Sequence, residues 1–183
     1  LAFASLVARR AGGEPVAYLL GYREFFGRRF AVTPATLIPR PETELLVELV
    51  TGKVGADSTA SILDLGTGSG CIAITLALEL PAARLTGGDF SAAALEVARA
   101  NAQALASAVR LCQSDWFAAL DGERFDLIVG NPPYVAAADQ HLGQGDLRHE
   151  PMTALASGDD GLDAIRRIVA AAPRYLHPGG ALL

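Results

Sequence analysis

The sequence predicts an α/β fold, a parallel sheet with helices on both faces, and three observations carry that expectation. From Ser61 onward, short apolar strands alternate with helical stretches of roughly 10–15 residues, the pattern of βαβ units. A glycine-rich turn stands where the first of these strands meets its helix. Hydrophobic residues make up 51% of 183 positions and charged residues 19%, enough apolar content for one core and too much for a disordered chain.

The elements follow in order. Residues 1–11 read as the end of a helix, with Phe3, Leu6, Val7 and Arg10 at helical spacing, closed by Gly12-Gly13 and Pro15. Tyr18 to Val32, punctuated by Gly21 and Gly27, reads as a β-hairpin with Arg28 and Arg29 near its turn. Ile38-Pro39-Arg40-Pro41 breaks the chain into an extended stretch. Pro41 suits a first helical position, and Glu42 and Glu44 suit the positive end of a helix dipole. Leu45, Leu46, Leu49 and Val50 form the expected buried stripe of that helix.

Ser61 to Leu65 is then a strand, Cys71 to Leu80 a helix ended by Pro81, and Arg84 to Gly88 a second strand. Ser91 caps an Ala-rich helix to about Leu105. Val109 to Cys112 and Phe125 to Val129 are further strands, Leu162 to Tyr175 a helix, and Ala181 onward a last strand. The first residue is Leu1 and the single methionine is Met152, so both ends are expected to be cut.

Charge and cysteine usage narrow the function. Net charge is −5, but residues 1–40 are basic and the rest strongly acidic; the acidic body does not suit a DNA-binding protein, while the basic stretch reads either as a contact for a polyanion or as a solvated face. No apolar run approaches the roughly 18–20 residues of a membrane span. Cys71 and Cys112 sit in apolar contexts, which points to a reducing, cytoplasmic setting. His141, His149 and His177 have no ligand spacing with either cysteine, so no metal site is expected.

Four signals carry chemistry. Asp64-Leu65-Gly66-Thr67-Gly68-Ser69-Gly70 lets the backbone turn sharply and offers the free N–H groups of a helix start to a ligand. Its G-x-G-x-G spacing is neither the dinucleotide fingerprint nor a Walker loop, and alone it says only nucleotide-like ligand or tight turn. Asp89 ends the second strand, where a carboxylate can accept both ribose hydroxyls; capping the next helix is the plainer reading. Asp115 and Trp116 follow the third strand, an acid for an adenine amino group and a ring for the purine face, or simple core packing for Trp116.

The fourth signal decides the chemistry. Gly130-Asn131-Pro132-Pro133-Tyr134 follows the fourth strand, at the sheet edge where open α/β folds bind ligands. Two prolines lock a stiff extended turn, which offers the Asn131 side chain and the Pro132 carbonyl as outward acceptors beside the flat face of Tyr134. A planar –NH₂ group fits such a site.

Together these residues resemble an S-adenosylmethionine-dependent methyltransferase with a Rossmann-like sheet. Asn-Pro-Pro-Tyr is shared by amino-methylating DNA enzymes and by protein glutamine N5-methyltransferases. Pro15-Val16-Ala17-Tyr18-Leu19-Leu20-Gly21, Phe25-Phe26-Gly27 and Leu37-Ile38-Pro39-Arg40-Pro41-Glu42-Thr43-Glu44 look like the HemK/PrmC branch, as do His149-Glu150-Pro151 and Pro178-Gly179-Gly180. The resemblance implies S-adenosylmethionine as cofactor, held by Asp64, Gly66, Thr67, Gly68, Ser69, Gly70, Asp89, Asp115, Trp116 and Asn131. It implies catalysis by Asn131, Pro132, Pro133 and Tyr134 on the glutamine of the Gly-Gly-Gln loop of class 1 peptide chain release factors.

The implied organisation is a remnant of an N-terminal helical domain at 1–14, a β-hairpin linker at 15–40 and a catalytic domain at 41–183 whose last strands are missing. A monomer without stable nucleic-acid or membrane partners is expected. Phe90 stands where the family commonly has a smaller aliphatic residue. Glu150-Pro151 is expected to order the loop after the Asn-Pro-Pro-Tyr turn. An amino-group DNA methyltransferase would need a target-recognition segment and a basic cleft. A non-catalytic cofactor-binding fragment is a further alternative. A nicotinamide oxidoreductase fits Asp89 but not the glycine spacing.

Overall fold

A computed structural model describes residues 2–183; Leu1, which the sequence assigns to the first helix, lies outside them. The chain opens with helices α1 (Ala2–Ala11) and α2 (Val16–Leu20) and a hairpin of β1 (Tyr22–Phe25) and β2 (Arg28–Ala31). It continues through α3 (Glu44–Lys53), β3 (Ser61–Leu65), α4 (Cys71–Glu79), β4 (Arg84–Asp89) and α5 (Ala92–Ala104). Then come β5 (Arg110–Gln113), β6 (Phe125–Gly130), α6 (Asp163–Ala171) and β7 (Leu176–Leu182). The large sheet has strand order β5-β4-β3-β6-β7 and every pairing in it is parallel.

The expected α/β architecture is what forms. All five residues of β3 are buried, as befits a central strand covered on both faces. Ile62, Leu127 and Val129 face a core built with α3, α4 and α5. Leu63, Leu65 and Ile128 face the opposite core, closed by Phe117, Leu120 and Ile168 of α6. After β3 the chain builds outward through β4 and β5, then returns to lay β6 on the other side. That reversal opens a crevice at the carboxyl ends of β3 and β6, the position where such sheets take ligands.

Several boundaries differ from the sequence expectation. Tyr18 belongs to α2, not to the hairpin, because Pro15 starts a short helix that Gly21 ends in the left-handed conformation. The hairpin turns at Phe26-Gly27, both at positive φ, and Arg28 is the first residue of β2. In α3 the buried face is Val47 and Val50, continued by Val54, while Leu45 and Leu49 are exposed. The reason is a tight 3₁₀ turn at Pro41–Thr43, which buries Thr43 and sets the phase of the face that docks.

The helix expected to reach Tyr175 ends at Ala171 and tightens into a 3₁₀ turn over Ala172–Arg174, since Pro173 has no N–H for the α-helical ladder. Strand β7 begins at Leu176 rather than Ala181. It loops outward between its pairings with Phe125 and Leu127, so the Pro178-Gly179-Gly180 segment is a bulge inside the strand. Among the described residues no helix is long and apolar enough to cross a membrane.

Candidate active site

A cavity of about 490 Å³ opens over the carboxyl ends of the central strands, within the roughly 300–1,000 Å³ typical of small-molecule sites. Its sheet-side wall carries Gly66 and Gly68 after β3, Asp89 and Phe90 after β4, Asp115 and Trp116 after β5, and Asn131, Pro132 and Pro133 after β6. Residues that the sequence scatters from 66 to 133 therefore meet because parallel strands end together.

The glycine turn divides its work between two sides. Gly66 and Gly68 face the cavity, whereas Asp64, Thr67, Ser69 and Gly70 are buried behind the wall. Asp64 Oδ2 accepts hydrogen bonds from Thr67 Oγ1 at 2.7 Å and from the Ala73 N–H at 3.2 Å. That pair closes the turn onto the start of α4. Burial raises the Asp64 carboxyl to about 7, with Asp89 adding to the effect and the two donors opposing it. Asp64 Oδ1 and Ser69 Oγ are buried without a partner. Gly70 serves packing: at φ +82° a Cβ there would stand 2.6 Å from Ile74 Cδ1 and 3.3 Å from Ala98 Cβ.

Asp89 is 8% exposed and its two oxygens accept from the Gly68 N–H at 2.8 Å and the Ser91 N–H at 2.9 Å. These donors fix the carboxylate in one orientation and leave lone pairs on both oxygens for ligand hydroxyls. Burial raises its pKa, and the two N–H groups oppose that shift. Ser91 also caps α5, accepting from the Ala94 N–H at 3.2 Å. The side-chain cap of α5 is thus Ser91 and not Asp89. Beyond β5, Asp115 accepts from Arg167 of α6 at 2.9 Å across the cavity rim. Trp116 reaches the wall from a positive φ of 53°, while Phe117 is buried and stacks on Tyr175 with centroids 4.4 Å apart.

The Asn-Pro-Pro-Tyr turn is pinned from both ends. Gly130 lies so close to β3 that a Cβ would meet the Leu65 carbonyl at 2.8 Å. On the far side Val135 donates to the Leu155 carbonyl and accepts from the Ser157 N–H, both at 2.9 Å. Asn131 Nδ2 donates to Thr43 Oγ1 at 3.4 Å, which leaves Oδ1 as the acceptor of that amide. Among the described residues no hydrogen bond ends on Asn131 Oδ1 or on the Pro132 carbonyl. Tyr134 is 63% exposed and stands outside the cavity lining.

The opposite wall was not anticipated. Ala35, Thr36 and Leu37 from the linker face the Asn-Pro-Pro-Tyr side, with Pro151, Thr153 and Ala154 beside them. Glu150, its side chain fully buried, accepts from the Ile38 N–H at 2.9 Å and from the Arg40 guanidinium. Tyr18 adds a hydrogen bond to the Thr36 carbonyl at 2.7 Å. The Arg40 and Glu150 motifs were visible in sequence, but nothing local to either declared their pairing. Among the described residues no cluster of three His, Cys, Asp or Glu side chains converges as for a metal, and burial raises the Cys71 thiol to about 12.

Comparisons with known proteins agree with this geometry. Residues 41–148 match the Methyltransferase small domain family. The chain is 54% identical over 182 residues to the Release factor glutamine methyltransferase of Bordetella pertussis, across 99% of this chain and 67% of that protein. The protein of the same name from Burkholderia pseudomallei is 53% identical, across 98% of this chain and 66% of the relative. The chain thus spans about two thirds of the length of these curated relatives. Among solved structures, a 16S rRNA methyltransferase of T. thermophilus in complex with AdoMet and guanosine superposes with a TM-score of 0.66. It shares 24% identity over 88% of this chain and 40% of that one. A methyltransferase of Pyrococcus furiosus superposes at 0.61 with 20% identity, over 98% of this chain and 77% of that one. At such identities these two speak for the fold.

Proposed function

The chain belongs to the release factor glutamine methyltransferase family, and from that premise we propose that it methylates the side-chain amide nitrogen of a release-factor glutamine, with S-adenosylmethionine as donor. The substrate glutamine is the one in the Gly-Gly-Gln loop of class 1 release factors, the target that the family resemblance implies.

The cavity suits that donor. Asp89 offers oriented carboxylate oxygens for ribose hydroxyls, Gly66 and Gly68 allow close backbone approach, and Asp115 and Trp116, which line the same cavity beside Phe90, would hold the adenine ring. When bound, S-adenosylmethionine supplies an electrophilic methyl group and a neutral thioether leaving group.

The chain's own task concerns the nucleophile. An amide nitrogen is weak because its lone pair is delocalised into the carbonyl, and the cavity shows no strong base beside Asn131. Asn131 Oδ1 and the Pro132 carbonyl accept the two amide hydrogens instead, which fixes the nitrogen in place. The same oxygens stabilise the positive charge the nitrogen gains as its new N–C bond forms, an electrostatic effect of sign opposite to an oxyanion hole. That nitrogen then releases one proton to water or to a carbonyl and returns to neutrality. Tyr134, exposed and outside the lining, would cover the amide plane only by turning toward it once the substrate is bound.

The observation that carries this reading is the pair of unengaged neutral acceptors on a wall shared with Asp89. The test is label transfer from radioactive S-adenosylmethionine to a release factor, to its Gln-to-Ala loop variant and to duplex DNA. Label is expected on the intact release factor alone; label on DNA alone overturns the assignment. Asn131→Ala should lower transfer about 100-fold or more, the scale of losing one preorganised polar group, with cofactor affinity changed only a few-fold. Near-normal turnover by that variant rejects the acceptor role.

A further inference from the structure

We propose that Asn101, outside the cavity lining, is a positioning residue that couples the hairpin to the glycine turn, so that occupancy of the cofactor cavity and order of the hairpin are linked. The proposal rests on the reading that this cavity binds S-adenosylmethionine.

Asn101 lies within α5 and is 2% exposed. Its Oδ1 accepts from the Ala31 N–H at 2.7 Å, and its Nδ2 donates to the Ala31 carbonyl at 3.0 Å and to the Ser69 carbonyl at 2.8 Å. One carboxamide plane thus engages the last residue of β2 as a neighbouring strand would, and holds the glycine turn with its remaining hydrogen. Both amide hydrogens are used, so neither element can shift without breaking a hydrogen bond to the buried Asn101 side chain.

The two elements matter for different walls. Ser69 stands between Gly68, whose N–H orients Asp89, and Gly70, which packs against Ala98 of the same helix α5. Ala31 leads directly into the linker that supplies Ala35, Thr36 and Leu37 to the opposite wall. Asn101 therefore joins the ribose-side turn to the start of the substrate-side wall. A purely stabilising helix residue between these elements needs no such three-way geometry, and Asn is a weaker helix former than Ala or Leu. Ligand contact that stiffens Gly66–Gly70 is transmitted to Ala31 through one rigid amide, and hairpin motion is transmitted back by reciprocity.

The experiment is hydrogen exchange on the full chain with and without S-adenosylhomocysteine, paired with calorimetric affinity. In the wild type, saturating ligand should slow exchange at Gly66–Gly70 and also at Arg28–Val32, the latter by about fivefold or more. In Asn101→Asp, which loses both donors, and in Asn101→Ala, ligand protection of the hairpin should vanish and affinity fall by a similar factor, with circular dichroism showing a folded chain. Unchanged hairpin exchange in the wild type on binding overturns the coupling, and that arm decides the matter even if both variants misfold. A folded Asn101→Ala that binds with wild-type affinity and still protects its hairpin also overturns it. Absence of any response at Gly66–Gly70 instead overturns the cofactor reading, and the coupling with it.

Discussion

Replacing Glu150 by Gln should loosen the linker wall while leaving the sheet-side wall intact. The fully buried carboxylate accepts from the Ile38 N–H on one oxygen and from the Arg40 guanidinium on the other. A Gln of the same shape keeps one oxygen and turns an NH₂ group toward the second donor, so one hydrogen bond becomes a donor–donor contact. A hydrogen bond to a charged group contributes about 1.5–3 kcal/mol. Arg40 is 34% exposed and regains water when released, so the lower part of that range applies, about 2 kcal/mol. Unfolding entropy of about 2.1 cal/mol/K per residue converts this to a melting point roughly 5 °C lower for a chain of this length.

The assay is scanning calorimetry paired with release-factor kinetics and cofactor titration. KM for the release factor should rise several-fold, because Ala35, Thr36 and Leu37 lose their anchor, while cofactor affinity stays within about twofold of wild type. A melting point within about 1 °C of wild type together with an unchanged KM refutes the brace. Loss of cofactor affinity without a KM effect places the influence of Glu150 on the wrong wall.

Two further outcomes are expected. Asp64 is raised by burial from 3.8 to about 7, so across that window the folded chain keeps a proton the unfolded chain has lost. Its contribution is fully present below the lower value and is lost as pH rises through the upper one. At about 1.4 kcal/mol per pH unit the loss approaches roughly 4 kcal/mol. Asp64→Asn should flatten the pH profile of the urea midpoint in this window, and identical profiles would contradict the assignment. Gly70→Ala meets both a left-handed backbone, about 1–2 kcal/mol, and a crowded Ile74, about 1–3 kcal/mol more, so chemical denaturation should show a loss of about 2–5 kcal/mol. A loss below about 1 kcal/mol would mean that the turn relaxes around the methyl group.

What could be read in the sequence was whatever is set within a few residues. The strand–turn–helix at Ile62–Ala73 announces itself through apolar run, glycines and helix start, and the diproline turn announces its own stiffness. Ser91 was legible as a cap because its partner, Ala94, is three residues away. Short elements and helix phase were not. Helix α2 is five residues long, too short for a period, and the burial of Val47 in place of Leu45 and Leu49 depends on a 3₁₀ turn that hydrophobicity does not encode. In the site, Asp89 and Asn131 could be named from strand ends. The Glu150 brace on Ile38 and Arg40 could not, because its partners are 112 and 110 residues away. Motif spacing likewise cannot separate Gly66 and Gly68, which face the cavity, from Asp64, Thr67, Ser69 and Gly70, which hold the turn from behind.

The two walls of the cavity therefore have different mechanical origins. The sheet-side wall is the ragged end of parallel strands whose backbone hydrogen bonds fix Asp89 and Asn131 relative to one another. The opposite wall, residues 33–40 and 151–157, has no sheet of its own: the first stretch is held by side chains at Glu150 and Tyr18, the second by one parallel β-bridge to Val135 and a 3₁₀ turn at Met152–Ala154. Chemistry that depends on aligning a neutral nucleophile, without a base to activate it, demands rigidity in the acceptors. Admission of a protein loop demands compliance opposite them. Placing Asn131 on the strand side and the linker on the other meets both demands in one cavity. The Thr43–Asn131 contact at 3.4 Å ties the 3₁₀ turn ahead of α3 to the strand-side acceptor.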